Sequence, residues 1–167
     1  DSTTASGSSS TAMGYSTTAS GDHSTAMGYQ TTASAPRAVA MGSYTLASGD
    51  SSTAMGSSTT ASGYASTTMG FNTTATGDGS TAMGHSTTAS GNVSTAMGSS
   101  TTASDSNSLV IGRYNLLGST VTNSASQFST DNTAFVIGNG YILPNQQINR
   151  SDALTVLFDG TTTIAGD

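Results

Sequence analysis

The groups in this sequence with chemical reach are carboxylates, imidazoles, phenols and hydroxyls, and they recur at regular places. Asp22, Asp50 and Asp78 each follow a Gly at equal intervals, with Ser8, Pro36, Tyr64 and Asn92 at the places between. A hard cation wants about six to eight oxygen ligands, and carboxylates this sparse do not supply them unaided. Asp after Gly is expected instead to complete a turn and keep the surface soluble. His23 and His85 have no His or Cys companion at ligand spacing, so no metal is expected. Ser is abundant, but no Gly-x-Ser-x-Gly elbow sits between a strand and a helix, and a hydroxyl without an oriented base is not a nucleophile. The chain is therefore expected to be no enzyme and to need no cofactor. Tyr15, Tyr29, Tyr44, Phe71 and His85 fall just after Met-Gly pairs and are candidate ligand-facing residues, because aromatic rings give large, rigid contact area to a sugar or protein. The commoner use of such residues is to shield a corner or pack against a neighbouring subunit.

What positions these residues is a repeat. Gly recurs nearly every seventh residue from Gly7 to Gly112, with Ala35 and Asp105 in two of its places, and alternate half-repeats differ, so the period is 14. Met13, Met27, Met41, Met55, Met69, Met83 and Met97 use every Met in the chain, and Ile111 takes the next place. A fixed period of this length means stacked units that bury their cores only against their neighbours. Each half-repeat suits a short strand and a corner with a permissive backbone, whereas frequent Gly and β-branched Thr disfavour helix. The expectation is an all-β, flattened parallel β-solenoid of 14-residue coils over residues 1 to 112, rising about 4.8 Å per coil to a rod of about 38 Å.

Side chains alternate along a strand, so the chain's own variants suggest which phase faces inward. The phase of Thr25 and Met27 becomes Val39 and Met41, then Leu109 and Ile111, and the phase of Thr18 and Ser20 acquires Leu46. The opposite phase stays Ser, Thr or Ala, with Val110 as the exception. On this reading Thr25, Met27, Thr18 and Ser20 point inward, and the Met series with Ile111 forms a structural core ladder. The ladders headed by Thr17, Ala19, Ser24 and Ala26 then face outward. One Met and two Thr per coil make a thin core, so a further surface must be buried, and a homotrimer about the rod axis is expected.

Composition narrows the partners. The 167 residues include 31 Ser, 31 Thr and nine Asp, with no Cys, Lys or Glu, and a net charge of -6. With Arg37, Arg113 and Arg150 as the only cationic side chains besides His, there is no basic patch for nucleic acid. No apolar run approaches a membrane span, no disulfide can form without Cys, and the first residues are not expected to act as a signal peptide. Because the repeat is already under way at the first residues, an excised piece of a longer protein is expected.

The stretches "STAMG" at 24 to 28, "AVAMG" at 38 to 42, "SLVIG" at 108 to 112 and "TTASG" at 17 to 21 resemble the head repeats of trimeric autotransporter adhesins, the YadA-like family. The family's usual Val or Ile at the first large place is mostly Thr here, as at Thr25, Thr53 and Thr81. The resemblance implies a left-handed parallel β-roll in a tight trimer, exposed on a cell surface and often adhesive. From residue 113 apolar runs appear, among them Leu116-Leu117, Phe135-Val136-Ile137 and Leu154 to Phe158, broken by Gly112, Gly118 and Gly138-Asn139-Gly140. "RSDALTVLFDGTTTIAGD", residues 150 to 167, is similar to segments that precede self-cleaving chaperone domains in tail fibres and related surface fibres. Residues 113 to 167 are expected to form a β-rich trimeric neck or β-prism. The expected function is a trimeric, extracellular fibre segment with structural and adhesive roles and a glycan or protein ligand. Alternatives are part of a viral tail fibre, and an ice-binding solenoid if the Thr17 ladder faces water.

Overall fold

The computed structural model of the chain describes residues 2–117 and 125–165, so Gly118 and the last two residues of the 150–167 segment lie outside the described residues. No helix forms among the described residues. Each 14-residue coil contributes a two-residue strand such as Thr18–Ala19 and a five-residue strand such as Thr25–Tyr29. The short strands stack into an eight-stranded parallel sheet, and the long strands stack into a second sheet alongside it. The register never slips: Met27 pairs with Met41 and Met13, and Gly28 with Gly42 and Gly14. The expected all-β parallel solenoid with eight coils is therefore what the chain forms.

Corners hold the period in place. Each coil turns through left-handed backbone, for example at His23 (φ 58°) and Gln30 (φ 50°). At Gly28, φ is 126°, and a Cβ there would run into the carbonyl oxygen of Gly42 in the next coil, so only Gly allows the rungs to stack. The Gly series is thus a packing requirement between coils as well as a turn signal.

The inside and outside of the coil are the reverse of the sequence expectation. Ala19, Ala26, Thr17, Ser24 and their equivalents in the later coils are buried, whereas Thr3 and Ala5 of the first coil are exposed; Thr25 and Thr18 are half-buried and Ser20 is exposed. Met27, Met41, Met55, Met69, Met83, Met97 and Ile111 are half-buried on the outer face of the long-strand sheet, and Met13 is 57% exposed. The cause is the size of the coil: fourteen residues enclose two sheets so close that only Ala, Ser and Thr fit between them. Large residues collect in the other phase because the room is there. The interior lacks full hydrogen bonding too, since the buried hydroxyls of Thr31, Thr45, Thr59, Thr73, Thr87 and Thr101 have no protein partner. Each such group costs about 1–3 kcal/mol, offsetting much of what the Ala ladder contributes.

The segment after the last coil does not stand apart from the solenoid. Strand Thr133–Asn139 adds a ninth parallel rung, pairing Phe135 with Leu109 and Ile137 with Ile111. Asp152–Leu157 and Thr162–Ile164 then extend the same sheet antiparallel, while the short-strand sheet ends at Thr102–Ala103. Val110 and Val136 replace Ala in the interior column where that second wall stops and space opens. Size thus tracks available room along the interior as well as across it.

Candidate functional site

Two surfaces of the coil carry its exposed apolar and aromatic side chains. The first is an apolar seam along the outer face of the long-strand sheet. One rank runs from Met13 through the Met series to Ile111 and Ile137, continues across the antiparallel pairing to Leu154, and ends at Ile164. A parallel rank carries Thr11, Thr25, Val39, Thr53, Thr67, Thr81, Thr95, Leu109 and Phe135, then Val156. The continuation through Leu154 and Ile164 was not anticipated, because nothing in the local spacing shows that residues 133–165 share a sheet with the coils.

The second surface is the corner after each Met-Gly. Tyr15 and Tyr29 stack with ring centroids 5.1 Å apart and planes 8° from parallel. Tyr44, one residue beyond the rung partner of Tyr29, meets it edge to face at 5.3 Å and 72°. Its hydrogen bond with Tyr29 holds the Tyr44 pKa above the ordinary phenol value, with charge repulsion from Tyr29 as a second cause. Phe71 and His85 stack at 5.2 Å and 19° on the same corner. Ser43 and Ser57 occupy the rungs between, so the five candidate residues fall into two exposed clusters rather than one strip. Parallel stacking at rung spacing spends one ring face per partner, leaving edges, phenol hydroxyls and the end faces of each cluster exposed.

The Asp series proves to staple coils together. Asp22 Oδ1 accepts the Ser8 N–H at 2.9 Å, and Asp78 Oδ1 accepts the Tyr64 N–H at 2.9 Å. Asn92 continues the pattern by accepting from the Asp78 N–H at 3.1 Å. Asp50 accepts from one Arg37 nitrogen, Nη2, through both carboxylate oxygens at 2.6 and 2.8 Å. The Ser51 hydroxyl, followed by Arg37, holds its carboxyl below the usual carboxylate range. On the outer face of the short-strand sheet, solvent meets the ranks headed by Thr18 and Ser20. The Thr17 ladder, on which the ice-binding alternative rested, lies inside the coil.

Two residues missed from the sequence close the C-terminal end of the solenoid. The Asn115 side chain accepts from the Thr102 N–H through Oδ1 at 2.8 Å and donates to the Thr102 carbonyl through Nδ2 at 3.0 Å, standing in for the missing next strand. Arg150 donates to the carbonyls of Ser100 and Asn115, each at 3.2 Å, with its guanidinium 6.0 Å from the Tyr114 ring. The broken Gly series at Asp105 was the one visible sign that the column ends here.

The family model described as YadA head domain repeat (2 copies) matches residues 5–31, 19–45, 47–73, 75–92 and 89–115. No curated protein matches the chain. The matched stretches cover the coils whose Gly columns, small-residue interior and outer Met seam are described above. The chain belongs to the YadA head domain repeat family, as a head segment of the YadA-like trimeric autotransporter adhesin type.

Proposed function

We propose that this chain is a segment of a homotrimeric, extracellular surface fibre, structural along its length and adhesive at the aromatic corner. The observation that carries the reading is the unbroken outer seam of Met13 to Ile137, continued by Leu154 and Ile164. A single coil buries almost nothing larger than Thr, so most of its large apolar surface awaits a neighbour. Closed rotational symmetry supplies the same face from each copy, and covering the remaining exposed part of each half-buried Met or Ile contributes roughly 1 kcal/mol. In this arrangement the Met series and Ile111 form the core ladder of the assembly, and residues 113–167 act as the neck that carries the seam onward. The Tyr15, Tyr29 and Tyr44 cluster and the Phe71 and His85 pair sit at the edge of the seam's sheet, where a glycan or protein ligand meets them.

Light scattering on the purified chain tests the assembly. A mass three times the 16.4 kDa chain is expected, and a stable monomer at micromolar concentration overturns the reading. A glycan array probed with wild type and Tyr29→Ala tests the corner: binding lost in the variant supports it, and equal binding moves the ligand elsewhere. A second reading, a viral tail-fibre shaft, draws on the similarity of residues 150–167 to segments that precede chaperone domains. The downstream sequence separates the two, an anchor barrel marking the adhesin and a chaperone domain the tail fibre.

A further inference from the structure

The stacked Tyr pair on the first two coils carries a chemistry that the fibre reading does not use. Tyr15 and Tyr29 are rung partners, so their backbones sit one strand spacing apart, about 4.8 Å. Their rings nearly match that spacing, 5.1 Å between centroids and 8° from parallel. Both rings stay open to solvent, Tyr15 at 45% and Tyr29 at 42% exposed. A small slide or tilt of either ring brings a carbon beside its hydroxyl against the counterpart on the other. Tyr44 instead meets Tyr29 edge to face at 72°. Tyr64 is as exposed, at 58%, but has Asp50 and Asp78 at the equivalent places of the coils on either side. The chain has no Cys for a disulfide and no Lys for an amide link between side chains. Phenols joined ring to ring need neither.

We propose that Tyr15 and Tyr29 are a site of oxidative cross-linking, joined as dityrosine by hydrogen peroxide acting through a one-electron oxidant of the haem peroxidase class. Each phenol gives up one electron and its hydroxyl proton, and the two radicals form one bond between the ring carbons next to oxygen. Those two carbons then release their hydrogens as protons while the oxygens regain theirs. In balance, two ring C–H bonds break and one C–C bond forms. The two electrons and two protons released reduce one peroxide to two waters. The bond staples the first coil to the second, where it has most to add: Thr3 and Ala5 are exposed although later coils bury those places, and Met13 is 57% exposed. A link spanning one coil restricts the unfolded chain as a disulfide closing a loop of that length does. The site is built within one chain and does not depend on the trimer.

Treating the intact chain with a haem peroxidase and hydrogen peroxide, followed by tryptic digestion and mass spectrometry, tests it. Cleavage after Arg37, Arg113 and Arg150 leaves Tyr15 and Tyr29 together in peptide 1–37 and puts Tyr44 and Tyr64 in peptide 38–113. The expected product is peptide 1–37 lighter by two hydrogen atoms and carrying the blue fluorescence of dityrosine. Tyr15→Phe and Tyr29→Phe each remove only a surface hydroxyl and should abolish that product. Tyr64→Phe should leave its yield unchanged. Absence of the product in wild type overturns the proposal, as does its survival in Tyr29→Phe. Fluorescence found only in peptide 1–37 joined to 38–113, or in two copies of 1–37 joined together, overturns it as well. Glycan binding by the untreated chain reports on the adhesive reading separately.

Discussion

Thr68 occupies an interior place that the neighbouring rungs fill with Ala54 and Ala82. It is fully buried and its hydroxyl has no partner. The extra methyl is accommodated, but the hydroxyl has exchanged water for apolar surroundings with nothing in return. Thr68→Val keeps the shape and removes the polar atom, so the stability to urea should rise by about 1 kcal/mol. Thr68→Ala should gain less, since it also gives up methyl burial worth about 0.8 kcal/mol. A loss of stability in Thr68→Val would mean that the hydroxyl is bonded in solution. The same test does not transfer to Thr59 or Thr73, where Thr stacks on Thr and a single Val would face hydroxyls on both neighbouring coils.

At the scale of elements the question is how a stack of strands stops. Each rung satisfies the last only by adding another edge, and an open parallel edge is a template for further pairing. Asn115 ends the short-strand sheet by offering its amide as one residue's worth of strand. Asn115→Ala should cost about 1–3 kcal/mol and speed hydrogen exchange at the Thr102 amide, leaving central rungs such as Thr60 protected. Asn115→Asp keeps the acceptor for the Thr102 N–H but sets an oxygen against the Thr102 carbonyl, so it should recover only part of that protection. The repeat itself was legible because the Gly column after each Met, at positive φ with the next coil's carbonyl where a Cβ would go, leaves no freedom at its places, and the period of Met and Gly follows directly from one coil per 14 residues. The cap was not, because Asn115 acts on a residue thirteen positions earlier, and no local spacing distinguishes that amide from one in an ordinary turn.

For the whole molecule, inside and outside were misread from the sequence for an instructive reason. Val39, Leu46, Leu109 and Ile111 all fall in one phase, which in a wide sheet sandwich would mark the core. In a coil this narrow, uniform smallness marks the interior, and tolerance of bulk marks the outer face. Thr17, Ala19, Ser24 and Ala26 repeat with little change because each is fully buried within the coil, whereas the seam mixes Thr with Val39 and Leu109 without disturbing the coil. If the seam is packed in the assembly, its Thr residues are underfilled places. Thr81→Val, between Thr67 and Thr95, should then stabilise the assembly by about 1 kcal/mol per chain, read as a higher denaturation midpoint at fixed protein concentration. Strand propensity alone would also favour Val, so Thr88→Val on the outer face of the short-strand sheet supplies the control. A gain confined to position 81 that grows with protein concentration places the seam between copies. Equal gains at both positions, independent of concentration, would leave the seam in water and remove the physical basis for a rod built from more than one chain.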